Sequence, residues 1–139
     1  MTRIIDEKRI LRIIDANFNR AKEGLRVCED LCRFFLNDPQ KTSAYKTIRH
    51  RLSAAVRFWP IKHLIRSRNI EQDVGKKSFP SELKRRTALD IFYANSQRIK
   101  ESFRVLEELM KLRNQRKALA FKRMRYQIYA LEKRIIERL

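Results

Sequence analysis

Apolar residues recur at three- and four-residue spacing along most of the chain. Ile10, Ile13, Ile14, Phe18, Ala21, Leu25, Cys28, Leu31, Cys32 and Phe35 form one such stripe. It predicts a long amphipathic helix from Arg3 to Leu36, ended by Asn37-Asp38-Pro39 because proline cannot continue the hydrogen-bond ladder. A second stripe, Tyr45, Ile48, Leu52, Ala55, Val56 and Trp59, predicts a helix from Thr42 or Ser43 as N-cap to Phe58, with Pro60 beyond it. Residues 61–66 read as a short helical piece, and an ordered loop follows to residue 81. A third helix is predicted from Glu82 to Leu112 on Leu89, Phe92, Ile99, Phe103, Leu106 and Met110. A fourth runs from Lys117 to Arg138 on Ala120, Met124, Ile128, Leu131 and Ile135. No useful stretch alternates with period two, so the expected fold is all-α: two long helical hairpins packed as one bundle over residues 1–139.

The chain also resembles itself. Residues 16–31, ANFNRAKEGLRVCEDL, and residues 94–109, ANSQRIKESFRVLEEL, share nine of sixteen positions at an offset of 78. A weaker echo pairs AYKTIRH at 44–50 with AFKRMRY at 120–126. The chain therefore reads as a duplicated hairpin, 3–58 and 82–138 joined by a linker at 60–81, with the halves expected to pack about a pseudo-two-fold axis. At about 100° per residue, Asn17 and Asn95 fall on the apolar faces, with Arg20 and Arg98 at their flanks. Buried amides need partners. They can fix the register of the two hairpins or hold a ligand, and both readings stand. Glu29, Asp30, Glu107 and Glu108 read as a charged outer face.

Charge narrows the partners. Lysine and arginine total 34 against 16 acids, a formal net charge of +18, which favours anionic ligands. The basic residues spread over all four helices without helix-turn-helix spacing, which speaks against a nucleic-acid module. Cys28 and Cys32 lie four apart on the apolar stripe and read as small core residues, and His50 and His63 lie apart from them. No apolar run approaches the ~18 residues of a membrane span, and the N-terminus carries no apolar signal core, so a cytoplasmic protein is expected. Trp59, Phe58 and Tyr93 read first as core residues, with a homodimer interface as their other use.

No GxxxxGK[ST], GxGxxG or Glu-x-x-His segment occurs, which excludes a P-loop, a Rossmann turn and a di-iron carboxylate bundle. The remaining chemistry is phosphate binding by side chains. Arg20 and Arg98 are candidates at the seam, with Arg66, Arg68, Lys76 and Lys77 around Asp73-Val74-Gly75. Asp73 is the acid suited to hold a divalent metal or accept a hydroxyl proton, although Asp73-Val74-Gly75 also reads as a plain turn.

The segments RIIDANFNRAKEGLRVCEDLCRF, QDVG, ANSQRIKESFRVLEELMK and MRYQIYALE resemble a bacterial thiamine-pathway family. It is a small all-helical hydroxymethylpyrimidine-phosphate kinase, often fused ahead of thiamine-phosphate synthase, and the likeness runs from Ile4 to about Glu132. The resemblance implies transfer of a phosphoryl group from ATP, with Mg²⁺, to a phosphorylated pyrimidine. On that reading Asp73, Arg98 and Arg20 are catalytic, and Asn17, Asn95, Arg66 and Lys76 bind substrate. Asp73, with Glu23 and Glu101, holds the metal. The alternatives are a non-catalytic partner or regulatory domain of thiamine-phosphate synthase, or a basic helical nucleic-acid-binding module.

Overall fold

The computed structural model describes residues 6–139, so the expected helix start at Arg3, and the likeness at Ile4, lie outside the described residues. Helix α1 spans Glu7–Asp30 and is capped by the Asp6 carboxylate, which accepts from the Lys8 and Arg9 amides at 3.0 and 3.4 Å. It runs on through a wider π-helical turn at Leu31–Phe35. Asn37 then takes a left-handed φ of 51°, which its short polar side chain tolerates.

Helix α2 covers Pro39–Val56. It starts before the expected Thr42 or Ser43 because Asp38 is the cap, accepting from Lys41 N at 2.9 Å, and Pro39 suits the first helical position. The Thr42 hydroxyl instead donates back to the Asp38 carbonyl at 2.6 Å. The short helix expected at 61–66 is α3, Ile61–Arg66.

Helix α4 is Ala88–Met110, not a helix from Glu82. Glu82 lies in a separate 3₁₀ turn at Pro80–Leu83, and a capping box sets the later start: Asp90 N donates to Thr87 Oγ1 at 3.1 Å while Thr87 N donates to the Asp90 carboxylate at 3.2 Å. Helix α5 runs Gln115–Ile135 behind an Asn114 cap and finishes in a 3₁₀ turn, Ile136–Arg138. The described residues contain no strand, and no helix among them is long and apolar enough to cross a membrane.

The helices pack as hairpins α1–α2 and α4–α5, joined face to face through α1 and α4, while α2 and α5 barely meet. The seam is tight at Gly24: a Cβ there would lie 2.8 Å from Ile99 Cγ1 and 3.1 Å from the Asn95 carbonyl. Leu25, Tyr45, Phe92, Ile99, Phe103 and Phe121 are fully buried around it. Trp59 joins this core as expected, but Phe58 and Tyr93 are half exposed. Phe58 sits edge-on to Trp59 at 5.0 Å between centroids and carries the Lys117 ammonium 4.9 Å from its own ring centre.

Cys28 and Cys32 are free, buried thiols, as the stripe predicts. Burial pushes Cys32 up to about 11, helped by the nearby Asp38 charge, and burial likewise raises Cys28. At pH 8 the Cys32 thiolate is then on the order of one part in a thousand, so alkylation is slow. Iodoacetamide at that pH is expected to leave both thiols unmodified in the folded protein and to label both in denaturant. Rapid labelling of folded protein, read by mass spectrometry, would contradict their burial.

Candidate functional site

One face of α1 carries Arg12, Asp15, Ala16, Asn19 and Glu23, at the three- and four-residue intervals that align side chains on a helix. The segment after α3 lies opposite and contributes Arg68, Asn69, Ile70 and Asp73. Together they enclose a cleft of about 510 Å³. The two walls are joined by a bidentate ion pair: Arg68 Nε donates to Asp15 Oδ2 at 2.6 Å and its terminal nitrogen to Oδ1 at 3.0 Å. The Asp15 carboxylate is buried, and its hydrogen bond holds the Arg68 guanidinium above its ordinary range. Asn19 Nδ2 donates to the Asp15 carbonyl at 2.9 Å, which fixes the amide along the same wall.

Local turns shape the second wall. Asn69 Oδ1 accepts from Gln72 N at 3.3 Å, and Asp73 Oδ1 accepts from Gly75 N at 3.0 Å. Asp73-Val74-Gly75 is therefore a turn closed by its own aspartate, with Asp73 also lining the cleft. Glu23 lines it too, whereas Glu101 is exposed on α4. Among the described residues no three His, Cys, Asp or Glu side chains converge to hold a metal ion. With Asp15 taken up by Arg68 and Asp73 by its own turn, these residues do not make a ready Mg²⁺ site.

The other predicted residues lie elsewhere. Asn17 is buried, and its amide donates to the Ile13 carbonyl at 2.9 Å; Asn95 repeats this with Ile91 at 2.8 Å. Arg20 and Arg98 are exposed, and neither borders the cleft. Arg66 is exposed at the end of α3, Lys77 is exposed beyond it, and Lys76 donates to the Glu71 carbonyl at 3.3 Å.

Glu29 and Glu107 correct the expected outer face, because both are buried. Arg26 and Arg49 clasp Glu29 at 2.8 and 3.3 Å, and Arg104 and Arg125 clasp Glu107 at 2.8 and 3.0 Å. Each carboxylate thus joins its hairpin's two helices at corresponding places in the repeat. Glu108 stays exposed as expected, with Arg104 and Lys111 beside it.

Arg12, Asp15, Asn19 and Asn69 were not anticipated as lining residues. The available signal was Asp15 itself, an acid directly after Ile13-Ile14 and just ahead of the repeated segment. A carboxylate there calls for a cation from elsewhere in the chain.

The ThiD2 family profile matches residues 12–134. Among the relatives is a thiamine-phosphate synthase of Nostoc punctiforme, 39% identical over 128 residues, which is 91% of this chain and 35% of that protein. Another, from Rhodopirellula baltica, is 40% identical over 126 residues, 90% of this chain and 34% of its own length. A third, from Gloeobacter violaceus, is 38% identical over 130 residues, 93% of this chain and 37% of its own. The chain spans about a third of the length of these relatives. No solved structure matches it.

These names correct the expected activity. The relatives are named as synthases and not as a hydroxymethylpyrimidine-phosphate kinase, so the phosphotransferase assignment does not stand. The link to thiamine-phosphate synthase does stand. With nearly its whole length matched by one profile, the chain belongs to the ThiD2 family.

Proposed function

We propose that this helical domain serves thiamine biosynthesis by binding a phosphorylated aminopyrimidine on behalf of a thiamine-phosphate synthase, as a non-catalytic partner. The reading is carried by the cleft between α1 and residues 68–73, in a chain whose relatives bear the synthase name. Its volume falls in the range of small-ligand sites. An aminopyrimidine offers an amine donor beside ring-nitrogen acceptors. The carboxylate of Glu23 and the amide oxygen of Asn19 offer acceptors to that amine from the α1 wall, while Asn69, whose amide is bonded to Gln72, bounds the opposite wall. Arg12 makes no ion pair among the described residues, so its guanidinium fork is free for phosphate oxygens. Arg68 is spent on Asp15 and sets the spacing of the walls instead.

Calorimetric titration with 4-amino-5-hydroxymethyl-2-methylpyrimidine phosphate is expected to show saturable binding. Arg12→Ala removes charge-assisted hydrogen bonds of about 1.5–3 kcal/mol, so affinity should fall at least tenfold. Absent binding, or an unchanged affinity in that variant, overturns the assignment of the cleft. Release of ADP from ATP in the presence of the same ligand overturns the non-catalytic role.

A further inference from the structure

Helix α5 carries a second apolar face, turned away from the bundle. Leu119, Tyr126 and Ala130 follow at steps of seven and four residues, which align them on a helix, and all three are exposed. With Lys122, Arg123 and Gln127 they line a depression of about 440 Å³ that shares no residue with the cleft. Tyr126 leads on to Tyr129, edge-on at 5.7 Å between ring centres. The Arg125 guanidinium holds both rings, 5.4 and 6.0 Å from their centres, and is itself fixed to Glu107 at 3.0 Å. The tyrosines are thus ordered before any partner arrives, which lowers the entropic cost of binding.

The fold does not require this face. At the 76-residue offset that relates Ala44 to Ala120, Leu119, Tyr126 and Tyr129 correspond to Ser43, His50 and Ser53 of α2. Helix α2 packs in its own hairpin with polar residues at those places, so the apolar face of α5 serves something outside the bundle. Its rim is basic: Lys122, Arg123 and Lys133 flank it, and α5 has no acid from Gln115 to Leu131. A second copy of this chain would set those cations against their own counterparts, with +18 on each molecule. A phosphate backbone would engage the cations and leave the apolar centre unused. A protein surface with acids around an apolar centre engages both, and tyrosine and arginine are the side chains that dominate such contacts. In the relatives about two-thirds of the chain lies beyond the matched region, so there this helical fold shares its polypeptide with a large further part of a protein named thiamine-phosphate synthase.

We propose that the Leu119–Ala130 face of α5 is the docking surface for an acid-rimmed apolar patch on the synthase, an inference that rests on the partner reading above.

The test is calorimetric titration of this protein with the purified thiamine-phosphate synthase of the same cells at physiological ionic strength. One variant takes the residues of the sibling hairpin, Leu119→Ser with Tyr126→His. Its control, Phe34→Ser with Ile61→Ser, removes exposed apolar residues from other surfaces. A saturable complex is expected, weakened at least tenfold in the α5 variant and less than threefold in the control. Lys122→Glu alone is expected to weaken it severalfold, which keeps the test intact should the double variant unfold. Where the two proteins form one polypeptide, the same pair is placed in it, and trypsin is expected to part the domains at least threefold faster than in the parent. The α5 variant should keep the parent's affinity for the pyrimidine phosphate, so loss of docking is read separately from failure of the cleft. No complex, equal weakening by both double variants, tighter binding by Lys122→Glu or an unchanged cleavage rate overturns the docking face and leaves the cleft standing. So does a parent dimer, seen by sedimentation, that the α5 variant abolishes, or displacement of the synthase by duplex DNA.

Discussion

Replacing Glu29 by alanine is expected to cost about 3–5 kcal/mol of folding stability, because it strands a guanidinium inside the α1–α2 hairpin. The Arg49 side chain is only 13% exposed, and its Nε already lacks a hydrogen-bond partner. The Arg26 arm of the same network is half in water and contributes little by itself. Glu107→Ala repeats the experiment in the second hairpin, where Arg125 is equally buried. There the cation keeps a second anchor, lying 5.4 Å from the ring centre of Tyr126 and 6.0 Å from that of Tyr129. The Glu107 loss should therefore not exceed the Glu29 loss. Chemical denaturation of the two variants tests both statements, and losses below about 1 kcal/mol would place these carboxylates with ordinary surface pairs. Removing the cation together with the acid, as in Glu29→Leu with Arg49→Met, is expected to recover much of the stability, since an apolar pair needs no compensating charge.

Gly24→Val should lower stability by about 3 kcal/mol and the melting midpoint by roughly 10 °C. A Cβ at this position already meets Ile99 Cγ1 at 2.8 Å, and Ile99 is fully buried with a stiff, branched side chain. The Asn95 carbonyl at 3.1 Å is helix backbone, so relief requires the two central helices to part. Alanine gains about 1 kcal/mol of helix propensity over glycine but still places its Cβ in that contact, so Gly24→Ala should lose less than valine does. If valine melts with the parent protein, α1 and α4 do not meet at this point.

Most of the architecture was legible because the apolar stripes are long and uninterrupted. Their ends were not, because caps decide where a helix begins. Asp38 with Pro39 starts α2 ahead of its stripe, and Thr87 with Asp90 delays α4 beyond the acidic Glu82 that seemed to open it. Glu29 was misread for a related reason. Its partner Arg26 lies three residues away and suggests a solvated helix pair, while the cation that encloses it, Arg49, lies twenty residues on in the next helix. The echo of Arg49 in Arg125 was visible, but nothing local ties either to an acid. The cleft was half legible: Asp73 and Glu23 were marked by residue type, whereas its fastening, Asp15 to Arg68, spans 53 residues and depends on how the linker folds back. Arg20 and Arg98, matched so closely in the repeat, turn out to stand in solvent.

The fastening at Asp15 has an implication for how such a molecule can specialise. An assembly of two identical hairpins must carry the same side chain at both related places, so any change is made twice and must suit both. Linking the copies in one polypeptide removes that obligation. Asp15 corresponds to Tyr93 in the other half, and Arg51 to Gln127. The molecule can thus keep its load-sharing carboxylates in duplicate while each half is free to acquire recognition chemistry of its own.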